Sequence, residues 1–420
     1  MRVRSCFGSW LVALLLVVGA SAQGAAEKVV HGRLDAIGGL KVLRVWGTPA
    51  ERGYAHGFLL GRDIAATGIA EFTARFARKP ALLQQARAAV GRLIAYPDEA
   101  RAEIEAMFAG VVDSKATLDM PELERAFDLQ DLLVANALDV FGLMGCSGFT
   151  VWGDQVVGGG VLTARNFDWP LTGRHLLDAT MLVVQHFPDG RAVASVGWPG
   201  FVGTVTGVSN DGVAVFLHVG SAKITMTPEP ESWPTAVAAR EILAHHDGVD
   251  VGVMETAAKK LLEYTSPPAG FLTHVVVPRP AGQRSPSLIF ETDAHSCELA
   301  KPAPGACVLT NHFHTRSDGR AASKDSLDRE KRVCGEIDEW LGEGDHRVSI
   351  EEAWRVLESV QRGGGHAFGT LHSLVFRHEP WCFELRIADS DAKGVVAAPV
   401  SPRRFVLTRE QVFAEIGERR

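Results

Sequence analysis

The sequence predicts an α+β protein in which antiparallel sheets are covered by helices. Three observations lead there. Ahead of Gly145 the chain reads as helix after helix. Behind it come short runs rich in Val, Phe and Thr, bounded by Gly, Pro, Asp or Asn and following one another at hairpin length. Helices interrupt those runs in pairs, which is not the regular alternation of a parallel α/β sheet.

The elements follow in chain order. Arg2 and Arg4 precede the apolar stretch from Trp10 to Val18, and Ala20-Ser21-Ala22 offers the small residues of a signal-peptidase site. Residues 1–22 are therefore expected to be a signal peptide, and the remainder an exported protein, periplasmic or secreted. The later chain has no run of about 18 apolar residues, so no integral membrane segment is expected after signal removal. Residues 23–145 are expected to form a helical pro-segment. Thr48-Pro49-Ala50-Glu51 is a helix start with an N-cap, a Pro in the first turn and a Glu three residues on. Pro80, Pro97 and Pro121 open further helices, the last running towards Met144. From 146 to 420 the expected strands are Phe149–Trp152, Val161–Arg165, Thr180–His186, Ala192–Val196, Val213–Val219, His274–Val277, Ser287–Glu291, Val308–Asn311, Leu371–Phe376 and Cys382–Ile387. Helices are expected near Thr235–His245, Val253–Tyr264, Ser326–Leu341 and Ile350–Gln361.

Composition excludes several classes of function. Of 420 residues 46% are apolar, enough for a large core, and 43 Lys+Arg against 50 Asp+Glu give a net charge of −7. A net negative chain without a basic run lacks the electrostatic footprint of a nucleic-acid binder. There is no P-loop, no dinucleotide fingerprint and no Gly-x-Ser-x-Gly elbow. Of the six cysteines, Cys6 leaves with the signal; the odd remainder implies at least one free thiol, and a Cys297–Cys307 disulfide is left open.

The boundary between the two textures falls at Gly145-Cys146. Gly145-Cys146-Ser147-Gly148-Phe149-Thr150-Val151-Trp152 and Val161-Leu162-Thr163-Ala164-Arg165-Asn166-Phe167-Asp168-Trp169 flank a Gly-rich turn. In a hairpin centred near Gln155, Cys146 faces Arg165, and Asp168 lies just past the end of the first strand. A guanidinium beside a thiol favours the thiolate, and a carboxylate there is placed to hold an amine. Cutting the Gly145–Cys146 bond creates that amine, whose ordinary pKa near 8 suits a base for its own thiol. Gly145 is expected to tolerate the strained backbone that thiol attack on its carbonyl needs.

These residues resemble the cysteine branch of the N-terminal-nucleophile (Ntn) hydrolases. The nearest group is the autoproteolytic family typified by acyl-coenzyme A:6-aminopenicillanic acid acyltransferase, with choloylglycine hydrolases and phospholipase B-like proteins as more distant relatives. Gly47-Thr48-Pro49-Ala50-Glu51-Arg52-Gly53-Tyr54-Ala55-His56-Gly57 is similar to the opening of that family's pro-segment. The resemblance implies an αββα sandwich with the nucleophile on an inner strand. It implies Cys146 as nucleophile, Arg165 supporting the thiolate and Asp168 anchoring the α-amine. In Val308-Leu309-Thr310-Asn311, Asn311 corresponds to the catalytic Asn that donates to the oxyanion. In Ser326-Leu327-Asp328-Arg329, Arg329 is brought near the site, with Arg332 as the alternative. His218 stands about where the family often has an oxyanion Asn, and Trp169 is either a pocket wall or core.

The expected activity is hydrolysis, or transfer, of an acyl group from a linear amide of a small molecule through a Cys146 thioester. The enzyme would work as an α-chain/β-chain heterodimer from one inactive precursor and need no cofactor. Three alternatives stand beside it: an exported binding protein with a silent site, a phospholipase B-like ester hydrolase, and a metallohydrolase. The last rests on His312-Phe313-His314, read as two imidazoles on one face of a strand, with His245, His246, His366, His372 and His378 as further ligands. No His-Glu-x-x-His or Cys-x-x-Cys supports that alternative, and no metal is expected.

Overall fold

A computed structural model describes residues 29–416 apart from 142–143, 171–174, 221–230, 246–247, 279–283, 301–304, 317–320, 343–346, 364–367 and 392–393. The expected signal peptide, His246 and His366 lie outside the described residues. No helix among the described residues is long and apolar enough to cross a membrane.

The described chain opens with a hairpin, β1 (Gly32–Ile37) and β2 (Leu40–Trp46). Its two-residue turn places Gly38 and Gly39 at φ of 58° and 88°, the left-handed region such a turn requires. Three helices follow: α1 (Pro49–Phe76), α2 (Pro80–Ala89) and α3 (Asp98–Asp113). Thr48 and Glu51 form the capping box expected at the first. The helix expected from Pro121 does not form. Pro121–Leu123 is a single 3-10 turn stopped by Glu124 at φ 52°. A small ribbon, β3 (Asp119–Met120) with β4 (Arg125–Ala126), brackets that turn, and α4 (Leu129–Ala135) starts afresh under an Asp128 capping box. The segment ahead of Cys146 is thus strands as well as helices.

The second part begins with β5 (Gly145–Trp152) and β6 (Val161–Pro170). The short α5 (His175–Ala179) leads to β7 (Met181–His186), β8 (Ala192–Gly197), β9 (Thr206–Ser209) and β10 (Ala214–Val219). The pair α6 (Thr235–Ala244) and α7 (Val251–Leu262) precedes β11 (Phe271–Val276), β12 (Ser287–Thr292), β13 (Cys297–Ala300) and β14 (Ala306–Leu309). The pair α8 (Lys324–Gly342) and α9 (Ile350–Ser359) precedes β15 (Phe368–Arg377), β16 (Cys382–Ile387), the ribbon β17 (Asp389–Asp391) and β18 (Gly394–Val396), and β19 (Arg404–Leu407).

These strands make two large sheets. One runs β1-β2-β7-β8-β9-β10-β11-β12-β13, antiparallel except at β2–β7; the other runs β14-β5-β6-β15-β16-β19, antiparallel throughout. Side-chain alternation stacks them. Leu40, Val42, Leu182, Val184, Ala214 and Phe216 of the first sheet meet Leu374, Phe376, Phe383 and Leu385 of the second. Their neighbours Leu43, Val45, Met181 and Val183 point the other way, into the helical lobe of α1 to α4. A one-residue slip of β2 would exchange these two sets, so burial on both faces fixes its register. The pair α6 and α7 covers the rest of the nine-stranded sheet, while α8 and α9 cover the six-stranded one through Val333, Ile337, Trp354 and Leu357. The layers are helix, sheet, sheet, helix: the αββα sandwich expected.

Close approach decides how α1 meets α3. A Cβ on Gly57 would lie 1.9 Å from the Met107 carbonyl oxygen, and one on Gly53 2.0 Å from that of Glu103. Only glycine permits this contact, which explains why the opening motif carries glycine four residues apart. Arg52 and Glu103, brought together here, meet Arg240 of α6 and Gln185 of β7 in a buried charged cluster (Arg240 Nη1 to Glu103 Oε2 2.7 Å, Gln185 Nε2 to Glu103 Oε1 2.8 Å). The lobe ahead of Cys146 is therefore tied non-covalently to elements behind it.

Several histidines are buried as neutral rings. Burial lowers His56 and His378 to about 4 and His274 to about 3, and it holds His218 and His372 well below 6.5. His56 Nε2 accepts the Gly200 N–H at 3.0 Å, a bond that protonation there destroys. Folded-state values below the unfolded value mean that this stability is present above pH 6.5 and lost as pH falls towards 4. The denaturant midpoint should therefore fall steeply between pH 6.5 and about 4. A flat profile over that window would contradict neutral burial.

Candidate active site

The β5–β6 hairpin pairs Gly145 with Asp168, Cys146 with Phe167 and Gly148 with Arg165. The register differs by two residues from the one expected, because β5 begins at Gly145 and the turn is longer on the second arm. A shift of two preserves the face, so Arg165 still reaches the thiol diagonally: Nη2 lies 2.8 Å from Cys146 Sγ. Asp168 is not past the strand end but directly across from Gly145. Its Oδ2 would lie 3.4 Å from a Cβ on Gly145. Gly145 is not among the residues at positive φ. A side chain there would meet Asp168 at close to ordinary contact distance, so neither space nor positive φ requires glycine, and the backbone strain expected of it is not found.

Arg165 is wholly buried and almost saturated. Besides the thiol, its guanidinium donates to Thr206 Oγ1 (2.9 Å) and to the carbonyls of Leu217 (2.9 Å) and Val205. Cys146 Sγ also contacts the Leu217 carbonyl at 3.3 Å. Arg165 favours the thiolate as expected, but complete burial outweighs it and pushes the Cys146 thiol above its ordinary value. The thiol of the uncut chain is thus held neutral, and no solvent-exposed surface of Cys146 remains.

Asn311 comes from the loop after β14 and Arg329 from α8. Cys146 N donates to Asn311 Oδ1 at 3.0 Å, Arg329 Nη2 donates to the same oxygen at 2.8 Å, and Asn311 Nδ2 donates to the Val219 carbonyl at 3.0 Å. Two donors on one atom and an acceptor on the other fix the amide's orientation. Asn311 thus holds the Cys146 backbone nitrogen with its oxygen and the Val219 carbonyl with its N–H group. Arg329 Nη1 reaches the Cys146 carbonyl at 2.5 Å. Arg332 instead donates to the Ser359 carbonyl, at the surface.

His218 is fully buried on β10 between Leu217 and Val219, whose carbonyls serve the site, and both its ring nitrogens lack partners. Burial foremost, and then the nearby Arg165, keep it neutral. Trp169 is both pocket wall and core: it stacks on Phe167 at 5.9 Å and lines a cavity of about 90 Å³ beside Met144. That cavity is almost wholly apolar. Ile64 and Phe72 of α1, Phe127 and Leu132 form one side, with Trp169, Trp198 and Phe201 on the other. Asn136 holds the loop carrying Trp198 and Phe201 through bonds to Gly200 O (2.8 Å) and Val202 N (2.8 Å).

Two residues at the site carried no sequence signal. Thr370 Oγ1 donates to Asp168 Oδ1 at 2.7 Å, and Arg362 Nε lies 3.3 Å from Asp168 Oδ2 without an aligned hydrogen bond. Thr370 lies in β15, paired with Asp168, and Arg362 just ahead of that strand, about 200 residues downstream, and neither sits in a recognisable motif. Cys297 and Cys307 are free thiols on β13 and β14. Of the further histidines named as metal ligands, His245 pairs with Glu241 at 2.9 Å, while His372 and His378 are bonded to Thr206 and Gly212 inside the sandwich.

No family model matches the chain. A protein of Archaeoglobus fulgidus, described as uncharacterized, is 26% identical over 269 residues, 56% of this chain and 43% of that protein. The chain thus spans less than half the length of the relative it matches. Among solved structures, a Caenorhabditis elegans N-acylethanolamine-hydrolyzing acid amidase ortholog aligns with a TM-score of 0.41 and 14% identity, over 55% of this chain and 92% of that one. A conjugated bile acid hydrolase from Clostridium perfringens aligns with a TM-score of 0.43 and 10% identity, over 63% and 97%. Penicillin V acylase from Agrobacterium tumefaciens aligns with a TM-score of 0.38 and 16% identity, over 63% and 86%.

Proposed function

We propose that this chain is an exported cysteine amidase of the Ntn type, made as an inactive precursor that cuts itself between Gly145 and Cys146. One observation carries the reading: both reacting ends of a single residue are held at once. Cys146 Sγ sits 2.8 Å from Arg165 Nη2, its backbone nitrogen sits 3.0 Å from Asn311 Oδ1, and Asp168 lies across from the preceding glycine.

In the first stage the Cys146 thiol adds to the Gly145 carbonyl and the C–N bond breaks, moving the acyl chain from nitrogen to sulfur. Water then hydrolyses the thioester, leaving a carboxylate on Gly145 and a free thiol and α-amine on Cys146. In turnover the α-amine takes the thiol proton, Sγ attacks the substrate amide carbonyl, and the α-ammonium protonates the leaving amine. Water resolves the acyl-enzyme. Asn311 Oδ1, already bonded to the Cys146 nitrogen, and Asp168, across from Gly145, would hold the ammonium by hydrogen bond and charge. This scheme needs no cofactor.

The cavity beside Met144 and Trp169 supports a substrate whose acyl part is apolar. Its walls come from both sides of the cut, so the segment ahead of Cys146 would remain bound as an α-chain, held by the Arg52–Glu103–Arg240 cluster. Hydrolysis is favoured over acyl transfer because an exported enzyme meets water and little activated acyl donor. Intact-mass measurement and N-terminal sequencing of the purified protein test the reading. Two co-purifying chains are expected, one beginning at Cys146. A single chain running through Gly145–Cys146 would remove the α-amine from the mechanism and the reading with it.

A further inference from the structure

Beyond the cysteine site, the loop after β14 and the helix α8 bring together three groups that the amidase reading does not use. His312 Nε2 lies 3.2 Å from Glu330 Oε2, and His314 Nδ1 lies 3.5 Å from Glu330 Oε1. All three ligand atoms fall within 4.8 Å of one another. The imidazoles are not on a strand, as the His-x-His spacing suggests, since β14 ends at Leu309; they are stacked in the following loop with centroids 4.9 Å apart and planes 16° apart.

Two hydroxyls, Ser326 and Thr310, stand within reach of His312 Nδ1. Ser326 Oγ receives the Asn311 N–H at 2.8 Å and donates to Thr310 Oγ1 at 2.9 Å. Its single proton is therefore spent on Thr310, and His312 Nδ1 lies 2.9 Å from Ser326 Oγ and 3.2 Å from Thr310 Oγ1, so that it donates to Ser326 in one tautomer and accepts from Thr310 in the other. In the tautomer that donates from Nδ1 to Ser326, the Nε2 lone pair points at a Glu330 carboxylate oxygen and the space between them suits a cation; with the proton on Nε2 the same contact is a hydrogen bond to Glu330. A second nitrogen, His314 Nδ1, faces the same carboxylate. A metal-ligating histidine is fixed by an acceptor for its other ring N–H, and Ser326 Oγ is in place to be that acceptor here.

We infer that His312 Nε2, His314 Nδ1 and the Glu330 carboxylate form a binding site for a divalent cation of the zinc class, with water in the fourth position. Two imidazoles and one carboxylate are a donor set suited to that ion. Ligand atoms at bond lengths of about 2.0–2.1 Å around a tetrahedral ion are separated by roughly 3.3 Å, close to the two contacts to Glu330. The remaining separation closes by rotation of His314, whose side chain is 25% exposed and gives the ion a path from solvent. The loop itself is well anchored. The buried Glu291 carboxylate accepts the backbone N–H groups of His314, Thr315 (3.0 Å) and Arg316 (3.0 Å).

The ion's place in the sequence suggests its use. His312 follows Asn311 and Glu330 follows Arg329, the two residues that hold the Cys146 nitrogen and carbonyl. A metal here acts as a clamp between loop and helix, setting the separation of those two side chains without touching the reacting atoms.

Zinc binding to the chelator-stripped full chain, measured by equilibrium dialysis, tests the site independently of any enzymatic activity. One equivalent of zinc is expected for the unmodified protein, with Glu330→Gln and His314→Ala each weakening binding at least about tenfold. Zinc should raise the melting temperature of the parent chain and not that of E330Q, whose circular dichroism in the absence of metal checks its fold. Cobalt substituted at the site should show no thiolate charge-transfer absorption. Absence of stoichiometric zinc, binding indifferent to both substitutions, or a thiolate band from a cysteine would each overturn the assignment. So would a His312 resonance that titrates as an imidazolium paired with Glu330 at saturating zinc.

Discussion

Replacing Cys146 by alanine should leave one uncut chain and abolish amidase activity, with the fold intact. The side chain is small and buried, and its removal does not strand Arg165, which keeps the Val205 and Leu217 carbonyls and the Thr206 hydroxyl as partners. The structural cost is that of a small cavity, about 1 kcal/mol. The chemical cost is of another order, because the same sulfur serves both stages. Loss of a covalent nucleophile lowers turnover by roughly six orders of magnitude when a residue of that kind is removed. Mass spectrometry of the purified variant, near-ultraviolet circular dichroism and an assay on amides with apolar acyl groups measure the three quantities. Cleavage that persists at Gly145–Cys146 would point to a second nucleophile and end the self-processing scheme.

Much of this was legible in the sequence, for identifiable reasons. Ten of the strands after Gly145 and the two later helix pairs were found because they are apolar on at least one face and bounded by turn residues, while β9, β13, β17, β18 and β19, of three or four residues each, were missed; β16 and the start of α9 were placed to the residue. The hairpin register was off by two, yet the pairing of thiol and guanidinium survived, since strand periodicity is two. What escaped lacks a local signal. β1 and β2 carry Arg33, Asp35, Lys41 and Arg44, so they do not read as buried strands. Their charges are accommodated by an Asp35–Arg44 pair at 2.8 Å and by the carbonyls of Gln411 and Val412 near the far end of the chain. Thr370 and Arg362 reach Asp168 only because β15 pairs with β6. Glu330 looked like one acid on a charged helix. The effect of Arg165 on the thiol was read correctly in direction, but the sequence could not show that Cys146 is fully enclosed, and enclosure decides the sign of the net shift.

Asp168→Asn separates positioning from structure more sharply than any other change at the site. In the uncut chain Asp168 is fully buried, with Oδ1 bonded by Thr370 and Oδ2 near Arg362 but without an aligned hydrogen bond. A buried carboxylate oxygen so placed is costly on its own. In the proposed scheme, cleavage one residue away would add a second cation beside Arg362, the ammonium of Cys146. Asparagine keeps the shape and can keep the Thr370 bond but removes the charge, so the precursor should fold and melt much as before. Processing and turnover should each fall by about 10²-fold, the worth of one hydrogen bond between charged partners. The pH profile distinguishes the cause. An opposite charge favours the charged form of the amine, so its removal lowers the amine pKa and moves the rising limb of kcat against pH to lower pH. A merely structural role for Asp168 would reduce rates without moving that limb. Unchanged processing and turnover would take Asp168 out of the mechanism, leaving Asn311 Oδ1 as the sole group in place to hold the new amine.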